Sequence, residues 1–533
     1  MKGTSFSIDR GSILVLLFGL FVLFTPILFV FYKVFRYTNG VFMYPLDDTF
    51  IHLELAKNLA HGVWGINNEF ASASSSLLYT IILSIVTIFS DHVSVPFFIN
   101  CFSGIIIIWS LHKWLQKHQV VPVAQCLIIL LTVFFTPLIL TVVTGMEHTI
   151  QCLVSFLFIF HFSDWLEEFV AGKEKKIPWQ LLIFTLFVST IRYEGLFLIA
   201  VAVLMLLYFK KIRAATIFLS IALLPLVAFG TYSVLKGGFF LPNSVLIKSE
   251  SFKYTGLTGI VSNILFEKLT FARNGMAALA TQRWLIILPL LYLLFRKYMR
   301  PSYAFILFFL LAATILQLSL AATGYLYRYE AYLFFCSVVI ISILFYKHGR
   351  QVLAKKVSRW PVVELILVFF LFFPITLRSI TALEKLPQAC INIFDQQYQM
   401  AKFSKQFYSN SNIAANDIGA LSYYTDTRIV DLWGLANNEV AKSKKNNTWT
   451  PAFLDSICKS DRVSFAMLYD VWFPNTIPGN WIKIATWQIQ NNVICGDDTV
   501  SFYSLDSLNR ETLLKNLKEY ETQLPPSVIV QYY

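Results

Sequence analysis

Apolar stretches of about twenty residues recur along most of this 533-residue sequence, and each can cross the ~30 Å hydrocarbon core of a bilayer as a helix. Charged residues make up only 14% of the chain, whereas soluble globular proteins carry about 25%. This pattern excludes a soluble enzyme, a disordered chain and an outer-membrane β-barrel. It predicts an α-helical polytopic membrane protein.

Twelve apolar segments are candidate membrane spans. They are 12–35, 76–90, 95–111, 121–137, 148–163, 179–192, 194–209, 214–235, 284–296, 302–321, 330–346 and 361–380. Clusters of Lys and Arg in short connections indicate the cytoplasmic side, which places the N-terminus inside and the C-terminus outside. Opposite sides require an odd number of crossings, so we expect about eleven transmembrane helices, with 76–111 crossing once in net terms. The first segment is too long for a signal-peptide core and predicts an uncleaved anchor.

The repeated long apolar stretches are absent from the final 150 residues of the sequence. Short apolar runs at 412–415, 427–430 and 463–468 predict strands, so we expect 384–533 to be an extracytoplasmic soluble α/β domain. Residues 1–383 then form a membrane domain with external loops 36–75 and 236–283. If the tail is external, Cys458 and Cys495 are the pair to test for a disulfide.

The net charge of +12 does not predict a nucleic-acid partner, because many of the basic residues lie in the short connections between spans. Five tail tryptophans could stack on sugar rings, although core packing explains most tryptophans in a small domain. They are Trp433, Trp449, Trp472, Trp481 and Trp487.

The first external loop carries an acidic pair, Asp47 and Asp48, at the start of a helical pattern. One interpretation is that the pair caps a helix. The other is that one aspartate is a general base whose pKa is raised by partial burial beside its twin. Two carboxylates alone supply few of the ligands that a divalent cation needs, so no cofactor is certain and metal use stays open.

The helix after this pair is predicted to be amphipathic. Its apolar stripe of Ile51, Leu55 and Leu59 could lie along the membrane surface. Glu54 and Asn58 share the polar side with Asp47. His52 lies one turn after Asp48 and is expected to be a solvated residue or a hydrogen-bond partner rather than a metal ligand.

Several motifs occur in order along the chain. They are Asp47–Ile51, Ala56–Gly62, Ser74–Leu78, Thr144–Glu147, Arg192–Gly195, Leu241–Ser244 with Lys248, Asn416–Ala420 and Asp431–Ala436. The set resembles polyprenyl-phosphate-sugar-dependent GT-C glycosyltransferases, in particular bacterial arabinofuranosyl- and mannosyltransferase-like members. Tyr193 stands where that family has Pro, which affects only the local helix break. Ser76 stands where the family has Pro after the serines, so the subfamily and its substrate can differ.

The resemblance implies a GT-C fold in the plasma (inner) membrane and a polyprenyl-phosphate sugar donor. The acceptor would be an external hydroxyl of a cell-envelope glycan, glycolipid or protein. Asp47 or Asp48 would deprotonate it in an inverting displacement, and cations would stabilise the departing phosphate. Donor- or acceptor-binding candidates are Glu147, Arg192, Glu194, Asn243, Lys248 and Arg328, with His52, Glu54 and Asn58 supporting the base.

Simpler roles remain open for several of these residues. Arg192 and Glu194 could form a structural salt bridge, Glu147 could cap a helix, and Arg328 could be an interfacial arginine among tyrosines. A transporter or flippase of lipid-linked sugars is the main rival function, although we find no internal repeat. A glycan-binding tail on anchoring helices is the other rival, and the intramembrane ionisable residues argue against it.

Overall fold

The computed structural model describes residues 10–67, 69–174, 176–248, 275–353 and 361–533. Within these ranges, eight helical spans are long and apolar enough to cross a membrane. Four shorter apolar helices, Leu77–Thr87, Pro122–Phe135, Trp179–Ile191 and Gly195–Tyr208, account for the other predicted segments. Every predicted apolar segment therefore contains an apolar helix, as expected for a polytopic helical membrane protein. The predicted total of eleven crossings is not confirmed, because it depends on the four short helices.

The helices that precede the C-terminal sheet have the following bounds. They are α1 Arg10–Tyr37, α2 Asp48–Ala60, α3 Leu77–Thr87, α4 Val95–Lys117, α5 Pro122–Phe135, α6 Leu138–Val143, α7 His148–Val170, α8 Trp179–Ile191, α9 Gly195–Tyr208, α10 Ile212–Leu235, α11 Asn243–Lys248, α12 Met276–Gln282, α13 Trp284–Phe295, α14 Pro301–Leu320, α15 Ala331–Leu353, α16 Pro361–Ile393 and α17 Gln399–Phe407. A π-helical segment, Phe394–Tyr398, joins α16 to α17. Strands β1 Gly65–Ile66 and β2 Glu69–Phe70 form a small antiparallel hairpin.

The chain divides into two compact units. Unit 1 comprises Met1–Val30, Phe97–Leu226 and Ser249–Glu384, and unit 2 comprises Phe31–Pro96, Val227–Lys248 and Lys385–Tyr533. In unit 1, α7 is the most deeply buried of the eight long apolar helices, since 83% of its most apolar stretch is buried. Unit 2 groups the first external loop, 36–75, with the C-terminal residues, and its last segment begins beside the predicted boundary at 384.

Unit 2 contains a six-stranded mixed sheet in the order β4-β3-β5-β7-β6-β8. Its elements are β3 Asn412–Ala415, α18 Gly419–Tyr424, β4 Ile429–Asp431, α19 Asn438–Lys445, α20 Pro451–Ser460, β5 Val463–Leu468, β6 Ile482–Gln488, β7 Thr499–Ser504, α21 Arg510–Glu521 and β8 Ile529–Tyr532. Strand β3 pairs in parallel with both β4 and β5, and the remaining pairs are antiparallel. The strands predicted at 412–415, 427–430 and 463–468 are confirmed, with β4 starting at Ile429.

Successive side chains of a strand point to opposite faces of the sheet. Both faces of this sheet are buried, each in its own hydrophobic core. Ile413 and Phe465 belong to one core, which also holds residues of α2, α17, α18 and α21. Ala414 and Ala466 belong to the other core, which holds residues of α19 and α20. The crossover from β3 to β4 therefore covers one face, and the crossover from β4 to β5 covers the other.

Candidate functional site

The candidate site in unit 2 lies at the carboxyl ends of the parallel strands. The chain leaves β3 toward β4 on one side and later returns to β5 on the other side of β3. Such a reversal opens a crevice between the loops after the two inner strands, where α/β sheets commonly bind ligands. Asp417 lies in the loop after β3, and Tyr469 directly follows β5.

Asp47 of the first external loop occupies this position. Its Oδ2 accepts a hydrogen bond from the Gly419 N–H at 2.6 Å, and its Oδ1 accepts one from the Ala420 N–H at 2.7 Å. Only 7% of Asp47 is exposed. A Cβ at position 419 would lie 2.6 Å from Asp47 Oδ2, so glycine is what allows this close approach.

The π-helical segment supplies two amides to the same region. Gln397 Nε2 donates to Asp417 Oδ2 at 2.8 Å and to the Tyr469 hydroxyl at 2.7 Å. The Tyr469 hydroxyl donates to Gln396 Oε1 at 2.6 Å. A π-helical segment contains one extra residue within a helix and is frequent at functional sites. Here it turns the side chains of Gln396 and Gln397 toward the carboxyl ends of the strands.

The Asp47 and Asp417 carboxyl groups act on each other electrostatically. Burial and the nearby charge of Asp417 raise the pKa of Asp47 well above its usual range, and burial also raises the pKa of Asp417.

Asp48 differs sharply from its neighbour. It is the first residue of α2 and keeps part of its surface exposed, and its charge acts on Asp417. Asp47 stands at the cap position of α2, but its side chain makes no capping hydrogen bond. The helix-capping interpretation of Asp47 is therefore wrong, because its carboxylate binds the backbone of α18 instead.

Helix α2 does not present its apolar stripe for a membrane surface. Ile51 and Leu55 are 5% and 0% exposed and pack in the same core as the sheet. A four-residue repeat fits a protein core as well as a bilayer, which explains the error. On the polar side, Asn58 Nδ2 donates to Glu54 Oε1 and to the Gly65 carbonyl, both at 2.9 Å. Burial raises the pKa of Glu54.

His52 is buried rather than solvated. Its Nδ1 lies 3.5 Å from Ser74 Oγ, and its ring meets the edge of Tyr79. Ser76, which opens the serine-rich motif's helix, caps α3 by accepting a hydrogen bond from the Tyr79 N–H at 3.2 Å. Of the two expected roles for His52, the hydrogen-bond partner is confirmed and the solvated residue is wrong.

Asn243 begins α11 and is buried. Its side chain donates to the Leu435 carbonyl at 3.4 Å and to Asn438 Oδ1 at 2.9 Å, and its backbone N–H donates to the Ser72 carbonyl at 3.1 Å. Asn243 thus joins the loop motif to the residues after β4. The Lys248 side chain lies outside the described part of the chain, so its predicted role stays a prediction.

In unit 1, Arg192 is bonded to two glutamates. Its guanidinium lies 2.5 Å from Glu147 Oε1 and 2.6 Å from Glu194 Oε1, and it also contacts His148 Nε2 at 3.0 Å. Glu147 makes no side-chain capping bond to α7. The expected Arg192–Glu194 salt bridge is therefore present, and the capping alternative for Glu147 is wrong.

Arg328 is buried in unit 1 among tyrosine rings. Its guanidinium lies 4.7 Å from the Tyr325 centroid and 4.9 Å from the Tyr329 centroid, which also receives Arg192 at 5.2 Å. The backbone from Gly324 to Tyr327 has four consecutive positive φ angles, an unfavourable conformation for residues with a Cβ. Glu330 accepts from the Gly324 N–H and pairs with the buried Arg378, which holds this turn in place.

The arrangement does not suit a two-aspartate cation site. Both Asp47 oxygens face backbone N–H donors, which a bound cation would have to displace. Among the described residues, no group of three or more His, Cys, Asp or Glu side chains is arranged to hold a metal ion.

The candidate disulfide is excluded, whereas the expectation that core packing explains tail tryptophans holds for Trp481 and Trp487. Cys458 belongs to one core of the sheet and Cys495 packs against the other, so the two cannot form the expected disulfide. Trp481 and Trp487 are core residues. Trp433 and Trp449 instead enclose Lys444, whose Nζ lies 3.1 Å and 4.3 Å from their ring centroids.

Sequence reasoning missed Asp417, Gln397 and Tyr469 as site residues. Asp417 and Tyr469 each follow a predicted strand, a signal that the strand assignments already contained. Gln397 has no such signal, because it depends on the π-helical segment.

Comparisons with known proteins leave the family of the whole chain unassigned. A family model described as a domain of unknown function (DUF8728) matches residues 391–503, which include Asp417 and Tyr469. The comparison with curated proteins finds no match.

Proposed function

We propose that the chain is a membrane glycosyltransferase that moves a sugar from a polyprenyl-phosphate donor to a hydroxyl group of an extracytoplasmic acceptor. The observation that carries the proposal is the difference between the environments of the two aspartates in the acidic pair. Asp47 is buried against the backbone of α18, while Asp48 keeps exposed surface. A partly exposed carboxylate on a rigidly held loop suits a general base.

The proposed reaction is a single displacement. Asp48 takes the proton of the acceptor hydroxyl, the oxygen attacks the anomeric carbon, and the bond from that carbon to the phosphate oxygen breaks. The polyprenyl phosphate leaves with the bonding electron pair, and the anomeric configuration inverts. Asp47 takes no part in the proton transfer in this scheme.

Negative charge grows on the departing phosphate, and positive side chains stabilise it. Lys248 in unit 2 is assigned this role from its place in the Leu241–Ser244 motif. For Arg192 and Arg328 of unit 1, the proposal keeps the donor- or acceptor-binding role that the sequence suggests, and Arg192 is held by Glu147 and Glu194. Asn243 is assigned a positioning role, because its hydrogen bonds join the motif to Leu435 and Asn438.

The acceptor would be a cell-envelope glycan, a glycolipid or a protein. The proposal places the N-terminus in the cytoplasm and the C-terminal residues 384–533 on the outer side of the plasma membrane. The cytoplasmic assignment of the basic connections supports this orientation, and the eight long apolar helices support a location in a membrane.

The test reconstitutes the full chain in vesicles with synthetic polyprenyl-phosphate carrying radiolabelled arabinofuranose or mannose. Envelope extract supplies the acceptor. We expect the wild-type protein to move label into the acceptor. The control variant Asp426→Asn, which changes an exposed carboxylate in the same unit, should do so equally well. Label that crosses the bilayer while still attached to the lipid, without transfer, would contradict the proposal and support a transporter.

A further inference from the structure

The crevice at the carboxyl ends of β3 and β5 contains polar groups that have no role in the proposed displacement. Asn416 directly follows β3, and its Oδ1 accepts a hydrogen bond from the Tyr469 N–H at 2.8 Å, so its side chain lies between the two strand ends. Only 3% of Asn416 is exposed, and its Nδ2 has no hydrogen-bond partner among the residues that the structure describes. A buried N–H without an acceptor costs free energy, which a ligand oxygen at this position would recover.

Asp417 lies next to this amide in the chain. Its Oδ2 accepts a hydrogen bond from Gln397 Nε2 at 2.8 Å, and the Tyr469 hydroxyl lies 3.2 Å from the same oxygen. These contacts fix the carboxyl group. Asp417 is partly exposed, so its carboxyl group is within reach of a ligand and can accept a further hydrogen bond. Two consecutive residues therefore offer a donor and an acceptor at the strand ends.

A hydroxyl group matches this combination, because it accepts one hydrogen bond and donates another. A phosphate or a carboxylate would accept from Asn416 but would meet a second acidic group, Asp417. An ammonium group would pair with Asp417 but offers no acceptor to the Asn416 amide. The two side chains therefore favour a neutral ligand rich in hydroxyl groups.

Trp472 adds apolar surface at the same end of the sheet. It closes the 3₁₀ turn Asp470–Trp472 that follows β5, and its ring centroid lies 5.3 Å from that of Tyr469. Trp472 is partly exposed. A sugar carries C–H groups on the faces of its ring and hydroxyl groups around the rim, so it can pack on an indole while its hydroxyls bind polar side chains.

The loop after β3 is also attached to the start of α2. The Gly419 and Ala420 N–H groups donate to Asp47 at 2.6 Å and 2.7 Å. These bonds join the segment that contains Asp48 to the loop that carries Asp417. A sugar bound at Asp417 therefore lies beside the proposed base.

We propose that Asn416 and Asp417 bind a hydroxyl group of a sugar in the acceptor, with Trp472 packed against the ring of that sugar. The subsite rests on the proposed function and narrows its acceptor to a glycan or to the glycan part of a larger molecule. Asp48 then takes the proton from another hydroxyl of the bound acceptor.

The first experiment measures binding without chemistry. Glycans released from envelope extract, free of lipid and protein, are titrated onto the immobilised full chain in detergent, and biolayer interferometry records the affinity. We expect Asp417→Asn to weaken binding by about 10- to 100-fold, the effect of leaving a buried polar group unpaired. The amide oxygen of this variant still accepts from Gln397, so its nitrogen places a second donor beside Asn416.

Asp426→Asn serves as the control and should bind like the wild type. A wild-type protein that binds none of the released glycans, or binds them no better than Asp417→Asn, would overturn the inference.

A second variant covers the case in which Asp417→Asn does not fold. Trp472→Leu keeps an apolar side chain but removes the aromatic face, so it should weaken glycan binding by about two- to tenfold. Unchanged affinity would overturn the inference.

The catalytic readout uses the transfer assay. Asp417→Asn should raise the acceptor KM by the same factor as the loss of affinity and leave the donor KM within twofold of the wild type. A purely structural role would lower kcat and the unfolding temperature without separating the two KM values. Weakened glycan binding without transfer by any protein would refute the proposed function alone, and transfer with an unchanged acceptor KM would refute the subsite alone.

Discussion

Two adjacent aspartates have different environments in this molecule. Asp47 has both oxygens bonded to backbone N–H groups, and Asp48 keeps exposed surface. The sequence predicts an acidic pair but cannot separate its members, because the partners of Asp47 lie more than 370 residues away. The chain itself therefore places a carboxyl group in the crevice of the sheet, where α/β folds commonly bind ligands.

Replacing Asp47 should weaken this attachment. At pH 5 we expect Asp47→Asn to lower the free energy of unfolding by about 1–3 kcal/mol, because the amide offers one acceptor to two N–H donors and leaves one unsatisfied. Chemical denaturation of the detergent-solubilised chain measures this loss. Asp426→Asn serves as the control, and equal stability of the two variants would contradict the attachment.

Helix α2 shows what the spacing of apolar residues can and cannot predict. The repeat of Ile51, Leu55 and Leu59 predicted an apolar face correctly, but the face packs on unit 2's sheet rather than on lipid. Local spacing determines which residues share a face, whereas the surface that covers the face depends on distant segments.

The same helix offers a matched test. Leu55 is fully buried, and Leu59 is partly exposed one turn later. Leu55→Ala should cost about 2–5 kcal/mol of folding free energy, as expected for a buried leucine. We expect Leu59→Ala to cost less than half as much in the same denaturation experiment. Comparable losses would mean that α2 does not pack against the core as described.

The three strands predicted in the tail are present, because short apolar runs between polar turns report strands locally. Their order in the sheet is not a local property. The meeting of Asp417, Gln397 and Tyr469 depends on that order and on a π-helical insertion, so sequence reasoning located the motif around Asp417 without its partners.

For the whole chain, the apolar pattern predicted a helix in each of twelve segments, and composition alone excluded a soluble protein. The number of crossings was harder to predict. A helix of 11 residues such as α3 is about 16 Å long and cannot span ~30 Å of hydrocarbon by itself. Whether a short helix crosses depends on its neighbours rather than on its own sequence.

Orientation can be tested with single exposed cysteines in a background lacking the native ones. Lys515→Cys lies in α21 and Lys173→Cys in a basic connection. In intact cells we expect a membrane-impermeant maleimide to label position 515 at least tenfold more than position 173, and both positions to react after permeabilisation. Labelling of position 173 alone in intact cells would reverse the predicted topology.

The rate of sugar transfer by Asp48→Asn tests the central claim most directly. We predict that kcat falls by about 10²–10⁴-fold, the usual contribution of a general base, while the variant still folds. Turnover within twofold of the wild type, from a folded variant, would show that Asp48 is not the base.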